Sequence, residues 1–258
     1  MNFTIGEMRA DEYDVCLDMA VSAFLTNNPM FVHTKMPQDV FRRFAQGDCS
    51  REATVDSGLS LVARNADGSP IAFLFNKVAD FSKTDPGQFS QLHPCFSHML
   101  EGMEKLYAEA VLKPLSGLRL YSLTSGKTLH CALGGTLPAA NGQGVAKALR
   151  LAAVELARKR GFNSLLVEPA HGATRHIWTK HCGARVQAEL DFDTFRTASG
   201  EFPFAGVEGS ISVCEVVVRK SCWDSAIFWP YYLKKLGAQV KRAAAKASGG
   251  VSPKTGGG

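Results

Sequence analysis

An α/β domain built on a mixed β-sheet is what the sequence predicts, and three patterns carry that prediction. Short apolar runs alternate with amphipathic helical stretches between Phe3 and Arg219, in the order β-α-α-β-β-α-β-β-α-β-α-β-β. Asn65-Ala66-Asp67-Gly68-Ser69-Pro70 separates two apolar runs as a hairpin turn does, which makes them adjacent antiparallel strands. Asn141-Gly142-Gln143-Gly144-Val145-Ala146 lies between the apolar run Leu129–Leu133 and a helical pattern from Lys147 to Arg160. A strand, a glycine turn and a helix start in that order present backbone N–H groups that can cradle a diphosphate.

Each element has its own local reason. Phe3 to Met8 alternates in strand fashion, and Asp11 is placed to cap a helix whose inner face carries Tyr13, Cys16, Met19, Ala20, Ala23 and Phe24. Asn27-Asn28-Pro29 breaks that helix, and Pro37-Gln38-Asp39 opens a short second one through Phe44. Leu59–Arg64 and Ile71–Val78 are the hairpin strands. After the turn Asp85-Pro86-Gly87, the positions Met99, Met103, Leu106, Tyr107 and Ala110 mark a long helix from about Pro94 that ends before Pro114. Leu118–Leu123 and Thr128–Leu133 are further strands. The helix after the glycine turn buries Val145, Leu149, Ala152, Ala153, Leu156 and Ala157, and Gly161 ends it. Asn163–Val167 is a strand, His171–His181 a helix, and Ala184–Phe192 and Ser210–Arg219 are a last strand pair around a loop containing Gly and Pro.

At 258 residues the chain can bury a full core, with 45% hydrophobic and 21% charged residues. The domain is expected over residues 1–222, with an aromatic then basic extension over 223–247 and a Gly/Ser-rich disordered tail over 248–258. Of the 29 Lys and Arg and the 24 Asp and Glu, eight and one lie within residues 219–258, a local +7 that leaves about −2 for residues 1–218. Charge therefore argues against a nucleic-acid-binding body. No apolar run approaches the roughly 18 residues of a membrane span, and the amino-terminal residues have no signal-peptide pattern, so a cytoplasmic protein is expected. The basic segment Lys234–Ala247 has a weak apolar face, and membrane contact through it is not expected. The seven cysteines are widely spaced with no C-x-x-C pair, which favours free buried thiols over disulfides or a zinc site, and no metal site is expected.

Spacing separates three readings of the glycine-rich segments. Ser125-Gly126-Lys127-Thr128 contains the end of a Walker loop, but Tyr121 stands where its first glycine is required and a strand follows where a helix is needed. A dinucleotide-binding fold would carry its fingerprint in the first βα unit, not past the midpoint. Asn141 to Ala146, by contrast, resembles the (Arg/Gln)-x-x-Gly-x-(Gly/Ala) motif of the GNAT superfamily of acyl-CoA-dependent N-acyltransferases. The resemblance covers roughly residues 3 to 220, loosely before 115 and specifically from 128 to 184, where Leu166-Val167-Glu168-Pro169 and the helix after it look like the family's next strand and helix. The placing of His130 relative to the glycine loop looks most like the arylalkylamine N-acetyltransferase branch. Asn141 departs from the usual Arg/Gln.

That resemblance implies a mixed, mostly antiparallel central sheet of about seven strands flanked by helices. It also implies an N-acetyltransferase that moves an acetyl group from acetyl-CoA to a primary amine of a small molecule. Gly142, Gln143, Gly144, Val145 and Ala146 would hold the diphosphate, with Asn141 beside them, and the backbone of Ala132, Leu133 and Gly134 would serve as oxyanion donors. Gly134-Gly135 is alternatively a simple bulge. An alkylamine is protonated at neutral pH, so a base is needed, and His130 is the candidate, the alternative being a core histidine bonded within the sheet. Glu168 either assists that base, binds a cationic amine or caps the next helix. His171 falls where relatives often carry an asparagine that contacts the cofactor, and Thr174 and Arg175 follow on the same helix. Trp178 stands where many relatives use a tyrosine to protonate the leaving thiolate; it either lines the acceptor pocket or is a core aromatic. Two other functions stay open: a protein or peptide N-acetyltransferase, and a catalytically degenerate acyl-CoA-binding domain.

Overall fold

Short, mostly apolar runs form seven strands among the described residues, and the helical segments between them cover both faces of the resulting sheet. The computed structural model describes residues 2–79, 87–112 and 126–218. The strands are β1 (Thr4–Glu7), β2 (Leu61–Arg64), β3 (Pro70–Val78), β4 (Thr128–Thr136), β5 (Ser164–Val167), β6 (Arg185–Asp191) and β7 (Ser210–Val217). They lie in the order β1-β2-β3-β4-β5-β7-β6, an open sheet. Among the described residues β4 and β5 form the one parallel pair, and the other five pairings are antiparallel. A parallel pair needs a crossover, and the glycine turn and its helix supply it.

The helices are α1 (Tyr13–Asn27), α2 (Pro29–His33), α3 (Gln38–Asp48), α4 (Gly87–Ser90), α5 (Pro94–Leu112), α6 (Val145–Lys159) and α7 (Gly172–His181). The sheet separates two cores. On one face α1, α3 and α5 pack around Phe31, Phe41, Phe73, Phe75 and Phe96. On the other, Val145, Leu149, Ala153 and Ala157 of α6 meet Leu129, Cys131, Leu165 and Trp178. The two-residue period of β3 is visible in this division, with Phe73 and Phe75 in the first core and Ala72 and Leu74 in the second.

Several local expectations need correction. Asp11 does not cap α1; Glu12 occupies the N-cap, accepts from the Arg9 N–H at 2.8 Å and is buried against Arg64, whose Nε donates to it at 2.6 Å. Asn27-Asn28-Pro29 does break α1, and it is a second helix start as well. Asn28 Oδ1 accepts from the Met30 and Phe31 N–H groups, with Pro29 in the first turn. The next helix runs to Asp48 and not Phe44. The bulge is not at Gly134-Gly135: the pairings Phe75↔Leu133 and Asn76↔Cys131 leave Ala132 as the extra residue. The glycines serve close packing instead. A Cβ at 134 would lie 2.8 Å from Leu74 Cδ1, and one at 135 would lie 2.8 Å from Phe73 Cε1 and 3.2 Å from Ala23 Cβ of α1. The expected strand Leu118–Leu123, the extension over 223–247 and the tail over 248–258 lie outside the described residues. No helix among the described residues is long and apolar enough to cross a membrane.

Candidate active site

The parallel pair opens like a fork. β4 has nine residues, but only Thr128–Cys131 pair with β5, against Ser164–Val167. Beyond that point β4 keeps β3 as its partner, while the chain leaves β5 through Glu168-Pro169. Ala132 sits at the fork, without an opposing residue on β3 and past the end of the β5 ladder. The extra residue also switches the side-chain parity of β4: Leu129 and Cys131 belong to the α6 core, whereas Leu133 belongs to the α1/α3/α5 core.

The glycine turn stands at the same edge of the sheet, because it follows the carboxyl end of β4. Gly142 and Gly144 adopt φ of 74° and 78°, conformations that an L side chain rarely takes. A Cβ at either would meet nothing within 4 Å, so these glycines answer a backbone need and leave open space around them. Gly144 is the N-cap of α6 and no side chain caps it. Buried Val145 anchors the turn, while Asn141, Gly142, Gln143 and Gly144 are exposed. First-turn N–H groups have no intrahelical acceptor, and the helix dipole adds partial positive charge, so this end suits an anion.

At the base of the fork is a cluster of titratable groups. His130, opposite Lys77 on β3, has its Nε2 2.7 Å from Glu168 Oε2. The other carboxylate oxygen, Oε1, accepts from the Tyr107 hydroxyl of α5. The side chains of His130 and Glu168 are each 13% exposed, which is buried enough to strengthen their interaction and open enough to be reached. Lys77 Nζ donates to Asp48 Oδ1 and to the Asp48 carbonyl, both at 2.7 Å.

Electrostatics follow from these contacts. Burial alone would raise the Glu168 carboxyl, but the charge and hydrogen bond of His130 and the Tyr107 hydroxyl outweigh it and hold the group below its usual value. Asp48 is treated alike: burial opposes ionisation, and Lys77 and His130 prevail. Burial and the Glu168 carboxylate push the Tyr107 phenol well above its usual value. Glu168 is therefore an ionised acceptor that faces the Nε2 edge of the His130 ring.

No protein-family model matches the sequence, and no curated protein sequence matches it. Solved structures do match in three dimensions. Arylalkylamine N-acetyltransferase 2 of Aedes aegypti superposes with a TM-score of 0.67 at 14% identity, over 85% of this chain and 100% of that one. A mosquito arylalkylamine N-acetyltransferase like 5b gives 0.65 at 18%, over 84% and 100%. A Drosophila melanogaster polyamine N-acetyltransferase, which catalyses the formation of N-acetylagmatine, gives 0.65 at 13%, over 84% and 100%. The fold is the GNAT fold.

Within that GNAT fold, His130 and Glu168 come together, and Ala132, Leu133 and Gly134 line the β4 side of the fork. Trp178 stands apart from the fork, on the α6 side of the sheet. It is 1% exposed in the α6 core, with the Arg150 guanidinium 5.8 Å from its ring, and its place is that of a core aromatic. His171 is the exposed N-cap of α7, where Nδ1 accepts from the Ala173 N–H at 3.3 Å. It borders an open surface cavity of about 640 Å³ whose lining includes Pro29, Pro169, His176 and Glu208. Arg175 lines the same cavity, with its guanidinium bonded to Glu189 on β6 and to Ser210 and Ser212 on β7. Cys182 is buried, and burial pushes its thiol up to about 11.

Sequence reasoning missed Tyr107, Asp48 and Lys77. Tyr107 had a signal: it is the polar-tipped residue on an otherwise apolar helix face, and a buried phenol seeks a partner. Asp48 had none, since its contact with Lys77 joins the end of α3 to β3 across 29 residues of sequence.

Proposed function

We propose that this protein is an acyl-CoA-dependent N-acetyltransferase that moves an acetyl group from acetyl-CoA to a primary amine of a small molecule by direct attack. The observation that carries the reading is the His130–Glu168 pair at the base of the β4/β5 fork, at the sheet edge where the uncapped glycine turn presents its N–H groups. The naming of similar folds as arylalkylamine and polyamine N-acetyltransferases supports a small amine as acceptor.

The chemistry runs through this chain's own groups. The acceptor arrives as an ammonium. With a neutral imidazole the cluster of Lys77, Asp48, Glu168 and His130 carries a net −1, which favours one added cation. His130 takes the ammonium proton on its lone pair, and Glu168 stabilises the imidazolium through Nε2. The freed amine attacks the thioester carbonyl and forms the C–N bond, backbone N–H groups of Ala132 to Gly134 receive the developing oxyanion, and as the C–S bond breaks the nitrogen gives up its second proton, which solvent carries to the released thiolate. Gly142 to Ala146, with Asn141 and Gln143 at the rim, would hold the diphosphate of acetyl-CoA, and His171 would border its pantetheine arm. Buried Trp178 leaves no side-chain acid at the position where relatives carry tyrosine.

Thiol release from acetyl-CoA, measured with arylalkylamines, polyamines, amino acids and a peptide, tests this reading. Selective turnover of one small-amine class is expected, with kcat/KM falling about 100-fold in His130→Ala. Turnover of the peptide alone would move the assignment to protein acetylation. Acetyl-CoA binding without turnover of any amine would make the chain a binding domain.

A further inference from the structure

Tyr107 lies on α5 between Leu106 and Ala110, which are 1% and 0% exposed, so the helix turns this part of its surface towards the core. Its hydroxyl donates to the one carboxylate oxygen of Glu168 that His130 does not use. A carboxylate held at both oxygens cannot rotate about its last bond without losing a partner, so its direction towards the imidazole is fixed from the far side. We propose that Tyr107 is a positioning residue for the base: through Glu168 it sets both the orientation of the His130 ring and the strength with which that ring holds a proton. The proposal deepens the acetyltransferase reading and rests on it for the part His130 plays.

The phenol is not the missing acid. Burial and the adjacent carboxylate push it well above its usual value, so it keeps its proton, whereas a thiolate near pKa 8.5 is a poor match for such a donor. Its effect is on charge. A hydrogen bond to a carboxylate favours the ionised form and draws off part of the negative charge that faces the imidazole. Among the described residues, the other groups facing the pair include Lys77 of β3, Asp48 of α3 and, within electrostatic reach, the thiols Cys131 of β4 and Cys214 of β7. In Tyr107→Phe the ring stays and the donor is lost. Glu168 then bears more charge, stabilises the imidazolium further and leaves less neutral His130 at a given pH.

The test is a double-mutant cycle of Tyr107→Phe and Glu168→Gln, with kcat and KM followed against pH and the His130 imidazole titrated by NMR in the substrate-free protein. His130→Gln assigns the resonance. Tyr107→Phe is expected to lower kcat about tenfold with KM for the amine within twofold. The acid limb of its kcat/KM profile and the NMR midpoint of His130 should both move up by about half a unit. On the Glu168→Gln background the same change should cost almost nothing, because its route is gone. Additive losses would overturn the proposal by showing that Tyr107 acts without Glu168. An unmoved acid limb and an unmoved His130 midpoint in a folded Tyr107→Phe protein would overturn it equally. If no amine is turned over, the acetyltransferase reading fails, and the titration still decides whether Tyr107 acts on His130.

Discussion

On the sheet face covered by α1, α3 and α5, every member of the buried charged cluster has a partner: Lys77 holds Asp48 at 2.7 Å, and Glu168 lies 2.7 Å from His130 and accepts from Tyr107. On the face covered by α6 and α7, Arg150 is 8% exposed, and among the described residues its Nη1 donates to the carbonyl of Ala146 in its own helix while its Nε finds no hydrogen-bond partner. The thiols of Cys131 and Cys182 lie within electrostatic reach, but burial keeps both above their usual values and so uncharged at neutral pH, and burial pulls the guanidinium below its usual value. A desolvated charge is tolerable when a geometric partner offsets it, and the first face supplies those partners where solvent can still enter. The second face offers Arg150 the ring of Trp178, which replaces only part of the lost hydration. One face thus keeps its buried charges paired beside the fork, and the other leaves a buried charge largely unpaired.

The contrast predicts opposite signs for charge removal. The larger effect belongs to Glu168→Ala, which strands His130 and Tyr107 and should lower stability by about 3 kcal/mol at neutral pH, or roughly 6–12 °C in Tm. Glu168 and Asp48 both have depressed values in the folded chain, so their contribution is present above the ordinary carboxyl range and is lost as pH falls through the folded values. The wild type should therefore lose stability on acidification below about pH 5, and Glu168→Ala should lose less over the same window. Calorimetry at several pH values checks both statements, and an unchanged neutral-pH Tm would mean that the pair stabilises nothing.

Arg150→Met should act the other way. Methionine fills a similar volume among Cys131, Trp178 and Leu149 without a buried charge, and a gain of about 1 kcal/mol, or 2–4 °C in Tm, is expected. A fall of that size would break the comparison, since it would show that the guanidinium has a favourable partner in solution.

How far the sequence foretold this molecule depends on the range of the interaction involved. The α6 crossover, the β2–β3 hairpin and the glycine turn were legible because each is decided by neighbours in sequence: Gly68 sits at φ 89° in its turn, and Gly142 and Gly144 at positive φ in theirs. His130 and Glu168 were legible separately, one on its strand and the other just past the next. Their contact stood as one of several roles open to Glu168, and the parallel register that sets His130 beside Leu166 is what brings the two together. The bulge at Ala132 was misplaced to the glycines beside it, since a ladder irregularity depends on the opposing strand. Trp178 could be read two ways until the packing of α6 against α7 buried it.

The smallest effect concerns the thiols, and it again turns on Arg150. All six described cysteines are buried and free, and burial raises Cys16 and Cys214 to about 12 and Cys182 to about 11. At pH 8 a thiol of pKa 11 holds on the order of 100-fold less thiolate than one of pKa 9, so aromatic disulfide reagents should label the native protein slowly, as read on a Cys222→Ser background. Cys182, with the lowest of the three values, should react before Cys16 and Cys214. The Arg150 charge opposes burial at Cys182, so Arg150→Met should slow its labelling further even as it raises Tm. Faster labelling in that more stable variant would instead place the control of Cys182 in the opening of α7, since a change in access, and not in charge, would then decide the rate.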